Sequence, residues 1–258
     1  MEKLRLKVQL AFAALFNIGL VEWHSICFPV FNCHSCPVSV FACPIGIIGQ
    51  FAGVGLIPLA TIGTIAISGL LVGRLLCGWA CPFGFLQELL YKVPYIKFGI
   101  PSWTRFIKYG VFVGLVLVVP IFLTVESQLY FCRLCPAATI ESAIPYAIMN
   151  GTANPLGFTI RLVIFFSVIV LVMGHRRFFC KVLCPLGACL SVFNRFALFF
   201  PERNTDCVEC STCTTVCGMD TSKRGRPFAA YESAPEECIA CLDCWKKCPT
   251  GAVQLWGG

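Results

Sequence analysis

The sequence predicts an α-helical membrane protein of about four transmembrane helices, with re-entrant or interfacial cysteine loops, followed by a small α+β domain. Three observations carry this. The 258 residues are 57% hydrophobic and 13% charged, with a mean hydropathy of +0.79, far from the composition of a soluble globule. Lys and Arg fall in short stretches beside the apolar runs rather than along one aromatic-studded surface, so the net charge of +7 reads as a topology signal and excludes nucleic acid as a partner. Nineteen cysteines recur at fixed spacings, and the densest runs lie in the last quarter.

Four apolar segments, at about 8–26, 50–73, 107–125 and 156–174, approach the roughly 20 residues that a helix needs to cross hydrocarbon. The first follows Lys3, Arg5 and Lys7 as a signal peptide would. Its small-x-small triplet, Ala11 to Ala13, lies inside the apolar run rather than after it, so a retained helix is expected. The second contains Gly53, Gly55, Pro58, Gly63 and Gly69, and its apolar character reaches back to Ile45, which allows a re-entrant segment before it. Residues 1–7, 74–108 and 175–203 are rich in Lys and Arg, whereas 24–52 has none and 126–155 only Arg133. By the positive-inside rule this predicts a multi-pass protein of the cytoplasmic (inner) cell membrane with both termini cytoplasmic. Arg161, near the outer end of the fourth segment, is expected to snorkel to the interface.

The last quarter holds Cys207-x2-Cys210-x2-Cys213-x3-Cys217 and then Cys238-x2-Cys241-x2-Cys244-x3-Cys248-Pro249. This is two-cluster ferredoxin spacing: three cysteines of a tight loop grip one cubane and the fourth crosses to the other. The expected ligand sets are Cys207, Cys210, Cys213 and Cys248 for one [4Fe-4S] cluster, and Cys238, Cys241, Cys244 and Cys217 for the second. Paired zinc sites use separated hairpins, and a disulfide framework needs an oxidising compartment, so both fit less well. Gly218 stands after Cys217 where the second run has proline. The domains are then 1–200 in the membrane and 201–258 as a ferredoxin-like 2[4Fe-4S] unit.

The second and fourth segments end alike, in Arg74-Leu-Leu-Cys77-x3-Cys81-Pro82-Phe-Gly84 and Arg177-Phe-Phe-Cys180-x3-Cys184-Pro185-Leu-Gly187. Cys-x3-Cys places two thiols one helical turn apart, and the proline and glycine bend the chain just after them. Both pairs lie at cytoplasmic ends, which predicts a third [4Fe-4S] cluster on Cys77, Cys81, Cys180 and Cys184. At these residues the chain resembles the NapH/NosR-type membrane polyferredoxins, over about residues 70–258. The resemblance implies electron transfer between cytoplasmic donors and a membrane or extracytoplasmic redox partner. It also implies that the cysteines matching the two tail runs are cluster ligands. Nothing in the chain looks like the flavin-binding domain of NosR-like members.

Residues 24–46 depart from that pattern, with Cys27, Cys33-His34-Ser-Cys36-Pro37 and Cys43-Pro44-Ile-Gly46, and Cys132-Arg-Leu-Cys135-Pro136 follows the third segment. The chain thus reads as two repeats, at about 25–95 and 125–195, each with cysteines on both faces. Three pairings are open: Cys33 and Cys36 with Cys132 and Cys135 in an outer cluster; Cys27, Cys33, Cys36 and Cys43 in a local one; or one cluster per repeat. The last is disfavoured because a 20-residue helix is about 30 Å long and keeps the pairs apart unless the outer loops dip inward. The first is preferred, with Cys27 and Cys43 as alternative ligands of a fourth cluster; outer disulfides are the competing reading.

His24 and His34 read as interfacial anchors and His175 as part of a basic flank. No Cys-x-x-Cys-His indicates covalent haem, and Gly53-Val-Gly55 fits close helix packing better than a dinucleotide loop. The 23 phenylalanines are expected mostly to face lipid, and Cys189 to be a buried thiol. No residue is assigned a catalytic role, and iron of the clusters is the only metal expected. The function expected is an electron-transfer component between a cytoplasmic donor (ferredoxin-like or a reductase) and a quinone or redox partner subunit. Alternatives are a self-contained ferredoxin:quinone or metal-ion oxidoreductase, and a metal or sulfide maturation module.

Overall fold

The apolar runs fold mostly into helices, but they break where glycine and proline interrupt them. The computed structural model describes all residues except 1, 18–22, 32, 34–35, 37–38, 152–154, 195, 199–200, 204–205, 222–234 and 256–258. His34 therefore lies outside the described residues. Helix α1 (Glu2–Phe16) stops well before residue 26, and Trp23–Cys27 is a strand (β1) pairing in parallel with β2 (Phe41–Ala42). At 15 residues α1 is about 22 Å long, short of a full crossing. The second apolar run divides into α2 (Pro44–Val54) and α3 (Leu59–Val72), because Gly55 takes a left-handed cap at φ 75° and Pro58 precedes the next turn.

Two helices among the described residues are long and apolar enough to cross a membrane, α6 (Ser102–Leu123) and α9 (Pro155–Gly174). They coincide with the third and fourth apolar runs. In α6, Pro120 withholds one backbone donor, and the preceding residues Phe112–Val118 take wider π turns. Between α3 and α6 lie α4 (Leu75–Trp79) and α5 (Pro82–Tyr91); between α6 and α9 lie α7 (Phe131–Leu134) and α8, which runs without a break through Pro136–Ala138, the wider π turns Thr139–Ala143 and Ile144–Asn150. After α9 come α10 (Phe178–Val182) and α11 (Pro185–Asn194), in the same helix–Cys-Pro–helix order as α4 and α5.

The tail begins at β3 (Pro201–Arg203), which pairs antiparallel with β4 (Val253–Leu255) and so ties the start of the segment to its end. Between them lie two short helices, α12 (Thr212–Val216) and α13 (Asp243–Lys247), each following a left-handed residue, Ser211 or Leu242. Large apolar side chains such as Val54, Ile57, Leu59, Phe122 and Leu156 remain exposed around the helical part, as a lipid-facing surface requires. The core is different: Phe31, Phe83, Phe131 and Phe179 are all buried together, so a share of the phenylalanines serves packing rather than lipid contact.

Candidate functional site

The cysteines gather in four groups, and a shared turn builds two of them. Cys43, Cys81 and Cys135 each precede a proline at the first turn of a helix, in extended backbone with ψ of 124°, 116° and 126°. Proline favours that conformation in the residue before it and fits the first helical turn, whose N–H groups lack intrahelical partners. The sulfur takes up one such donor, from Gly46 for Cys43, Gly84 for Cys81 and Ala138 for Cys135. Cys184 repeats the contact, with Gly187 N–H at 3.3 Å from its sulfur. Backbone donors aimed at sulfur, at a helix N-terminus, favour a negative ligand there.

In the Cys77 group, Cys77, Cys81, Cys180 and Cys184 are buried and lie within electrostatic reach of one another. Two arginines cross between the repeats to hold the group. Arg74, of the first repeat, donates to the Cys180 carbonyl at 3.2 Å; Arg177, of the second, donates to the Cys77 carbonyl at 2.7 Å. The motif glycines make room for them: a Cβ on Gly84 would stand 3.2 Å from Arg177 Nη1, and one on Gly187 would stand 3.1 Å from Arg74 Nη2. Each arginine has a carboxylate partner, Glu237 for Arg74 at 2.6 Å and Glu88 for Arg177 at 2.8 Å. Burial pushes Glu237 up, but Arg74 and Lys108 hold it below its ordinary value; burial likewise opposes Glu88, and Arg177, Arg5 and Arg176 hold it low. Gln87 Nε2 lies 3.0 Å from Cys180 Sγ.

In the tail, one cavity is lined by Cys207, Cys210, Cys213 and Cys248. A second is lined by Cys213, Cys217, Cys238, Cys241 and Cys244, so Cys213 lines both cavities, while Cys248 and Cys217 each lie with cysteines of the other run. They differ in exposure: Cys210 is open to solvent, and the Thr212 hydroxyl and N–H hold its thiol below the ordinary value. Burial pushes the Cys244 thiol up, reinforced by Cys238, Cys241 and Cys217.

The loop of the second set is fastened to the helical part. Asn194 donates to Cys238 O at 2.9 Å, Trp79 Nε1 to Ala240 O at 3.0 Å, and Arg5 to Cys241 O at 3.3 Å. Arg176 pairs with Asp243 at 2.7 Å and Lys181 with Asp220 at 2.5 Å. Gly218 is explained here. A Cβ at that position would lie 2.6 Å from Arg176 Cδ, so glycine lets the arginine rest against the Cys217 turn. The group with exposed Cys210 lies farther out.

In the remaining group Cys43 lies within electrostatic reach of Cys33 and Cys132, and Cys135 within reach of Cys33, Cys43 and Cys132. Cys36 is buried, and its N–H bonds Cys33 O at 3.3 Å. Cys27 turns toward the Thr61 and Thr64 hydroxyls of α3. Arg161 faces Cys135, Cys33 and Cys132 and donates to Arg133 O at 2.6 Å. Glu141 accepts from Cys33 N–H at 2.6 Å, and burial pushes it up to about 7. His175 bonds Phe98 O at 3.1 Å, and Cys189 is half-buried.

The donor sets fit iron–sulfur clusters. No disulfide joins any of the nineteen cysteines, all of which are among the described residues. Among the described residues no three His, Cys, Asp or Glu side chains converge as ligands of one ion would. Sets of cysteine sulfurs with N–H donors aimed at several of them are the donors a cubane takes. The 4Fe-4S binding domain family matches twice, at residues 54–101 and 156–201, and each match contains one Cys-x3-Cys-Pro motif. An uncharacterized protein of Methanocaldococcus jannaschii is 30% identical over 83% of this chain and 85% of its own length. The regulatory protein NosR of Pseudomonas aeruginosa is 33% identical over 69% of this chain, which covers only 24% of NosR. The chain belongs to the NapH/NosR-type family. The methylamine utilization ferredoxin-type protein MauN of Methylobacillus flagellatus is a further relative, 25% identical over 65% of this chain and 57% of MauN. No solved structure matches. The matched domain marks the chain as an iron–sulfur protein, and two of its helices are long and apolar enough to cross a membrane.

The crossed arginines and their partners Glu88 and Glu237 were not expected from the motifs. One signal was available: two arginines beside buried thiols need carboxylates, and the chain has only 13 acidic residues to supply them.

Proposed function

We propose that the chain is a multi-pass protein of the cytoplasmic membrane that carries electrons between a cytoplasmic donor and a membrane quinone or redox partner. The observation that carries this reading is the row of thiol groups. The group with exposed Cys210 is outermost, the Cys238 set lies against α4, and the Cys77 group is buried behind it. Cys207, Cys210, Cys213 and Cys248 would hold one [4Fe-4S] cluster; Cys238, Cys241, Cys244 and Cys217 a second; Cys77, Cys81, Cys180 and Cys184 a third. A bound cubane supplies a one-electron redox centre whose potential follows burial, charge and hydrogen bonds to sulfur.

The protein's own groups then set the differences. Thr212 and open solvent surround the outermost thiols, where a soluble donor can reach them. Water is excluded from the Cys77 group, and Arg74, Arg177, Gln87 and Gly187 supply charge or N–H donors. The same chain end supports the topology: Arg5 of α1 bonds Cys241 O and Asp243, so the N-terminal helix and the tail lie on one face. With the basic segments on that face it is cytoplasmic. The membrane part would span 1–200 with repeats at about 25–95 and 125–195, and 201–258 would be the ferredoxin domain.

The test uses anaerobically purified chain in detergent. A reduced low-potential ferredoxin should bleach the cluster absorbance and a short-chain quinone should restore it. Absorbance that neither reagent alters would overturn the proposal.

A further inference from the structure

Gly78 stands where a glycine is unfavourable, inside the short helix α4 and directly after Cys77. Its neighbour explains it. A Cβ at this position would lie 2.3 Å from Ile239 O and 3.4 Å from Ile239 C, so the glycine gives the Ile239 carbonyl room to sit against its Cα. The hydrogen in place of that Cβ points at the oxygen, a contact of the kind that joins closely packed backbones. Ile239 follows Cys238 in the chain and is 3% exposed. From Cys77 to Cys238 the route is therefore covalent on both sides, with one gap between Gly78 and Ile239.

The gap is held from several directions. Gly78 O accepts from Gln9 Nε2 at 2.9 Å and from Arg177 at 3.4 Å, and Arg177 also donates to Cys77 O at 2.7 Å. Across the gap, Asn194 donates to Cys238 O at 2.9 Å and Trp79 Nε1 to Ala240 O at 3.0 Å, so the residues on either side of Ile239 are each fixed by a side chain of the helical part. Arg74 donates to Glu236 O at 3.2 Å. The second repeat meets the tail differently. Its residue after the first motif cysteine is Lys181, which pairs with Asp220 at 2.5 Å. The repeat with glycine takes in the tail backbone, and the repeat with lysine holds the tail by charge.

We propose that the contact between Gly78 and Ile239 is the electron bridge from the Cys238 set to the Cys77 site, with Gly78 as a positioning residue for that transfer. This deepens the electron-transfer reading and rests on it. Electrons pass more readily along bonded atoms than across space, so the width of the one gap governs the rate. One electron crosses: the tail site is oxidised, the Cys77 site is reduced, no bond forms or breaks and no proton is needed. In Gly78→Ala the Ile239 carbonyl must retreat by about 1 Å to reach ordinary contact.

The test compares wild type, Gly78→Ala and Gly63→Ala, each purified anaerobically in detergent. Iron and sulfide counts and EPR midpoints should agree in all three, because no ligand, charge or donor to sulfur is altered. Reduced ferredoxin is then mixed with the oxidised protein, and samples are frozen at intervals for EPR. The tail signals should appear at the same rate in each. The Cys77 signal should follow severalfold more slowly in Gly78→Ala alone, with weaker magnetic coupling between the reduced tail and Cys77 centres. Should Gly78→Ala fold or load poorly, Trp79→Phe, which gives up the bond to Ala240 O and adds no atom at the contact, should slow the same step. A Cys77 signal that rises in the folded variant as fast as in wild type would overturn the bridge and leave the electron-transfer reading standing. Wild type in which no Cys77 centre is reduced would remove that reading itself.

Discussion

Glu237→Gln keeps the size of the side chain and removes the charge that joins the tail to the helical part. Glu237 is 3% exposed and bonds both Arg74, at 2.6 Å, and Lys108. Both cations are fully buried. Removing one partner of a buried ion pair costs about 3–5 kcal/mol, because the remaining charge has no compensation. Arg74 keeps its bonds to Cys180 O and Glu236 O, which places the cost at the lower end, about 3 kcal/mol. At about 1.4 kcal/mol per tenfold, attachment of the Cys238 loop should weaken roughly 100-fold. Hydrogen–deuterium exchange of the detergent-solubilised holoprotein reads this directly, as faster exchange across residues 238–244 with unchanged tail EPR signals. Exchange within about threefold of wild type would refute the reasoning, for it would mean that the buried network does not hold the tail.

Arg177→Gln should lower the midpoint potential of the Cys77 site by roughly 50 mV, the equivalent of about 1.2 kcal/mol for one electron, with the tail midpoints unmoved in an EPR redox titration. In Gly84→Ala the new Cβ would stand 2.9 Å from Cys77 O and 3.2 Å from Arg177 Nη1, and thermal unfolding in detergent should show a loss of about 1–3 kcal/mol. Gly63→Ala, where nothing lies within 4 Å, serves as the control. Cys217→Ser should remove about four irons from the Cys238 set while the exposed cluster keeps its signal, because the fourth ligand of each run crosses to the other set.

The cysteine spacings were the most legible part of the chain. Cubane geometry ties ligands to short fixed intervals, so the crossed cavities follow from sequence alone. The Cys77 group was legible through the duplicated Arg, Cys, Pro and Gly positions, although the reason for the glycines, an arginine arriving from the other repeat, appears only in three dimensions. The Cys33 group was half legible: the spacing singled out its cysteines, but how Cys43 comes to lie beside Cys33, Cys132 and Cys135 depends on the path of the loop, about which hydropathy carries no information. Hydropathy also overextended the first helix: residues 17–26 are apolar enough to continue it, yet β1 pairs with β2 and takes residues 23–27 into a strand. Arg161 carries a feature that hydropathy does not show: an arginine near a helix end ordinarily snorkels, and here it also has buried thiols to face.

The central claim is that the Cys77 site is a redox-active cluster behind the tail, and a Cys81→Ser/Cys184→Ser double variant compared with wild type tests it most directly. Anaerobic iron and sulfide counts with an EPR redox titration should show about four fewer irons and one fewer reversibly reduced centre, with both tail signals retained. An unchanged iron count with every reducible centre still present would contradict the account.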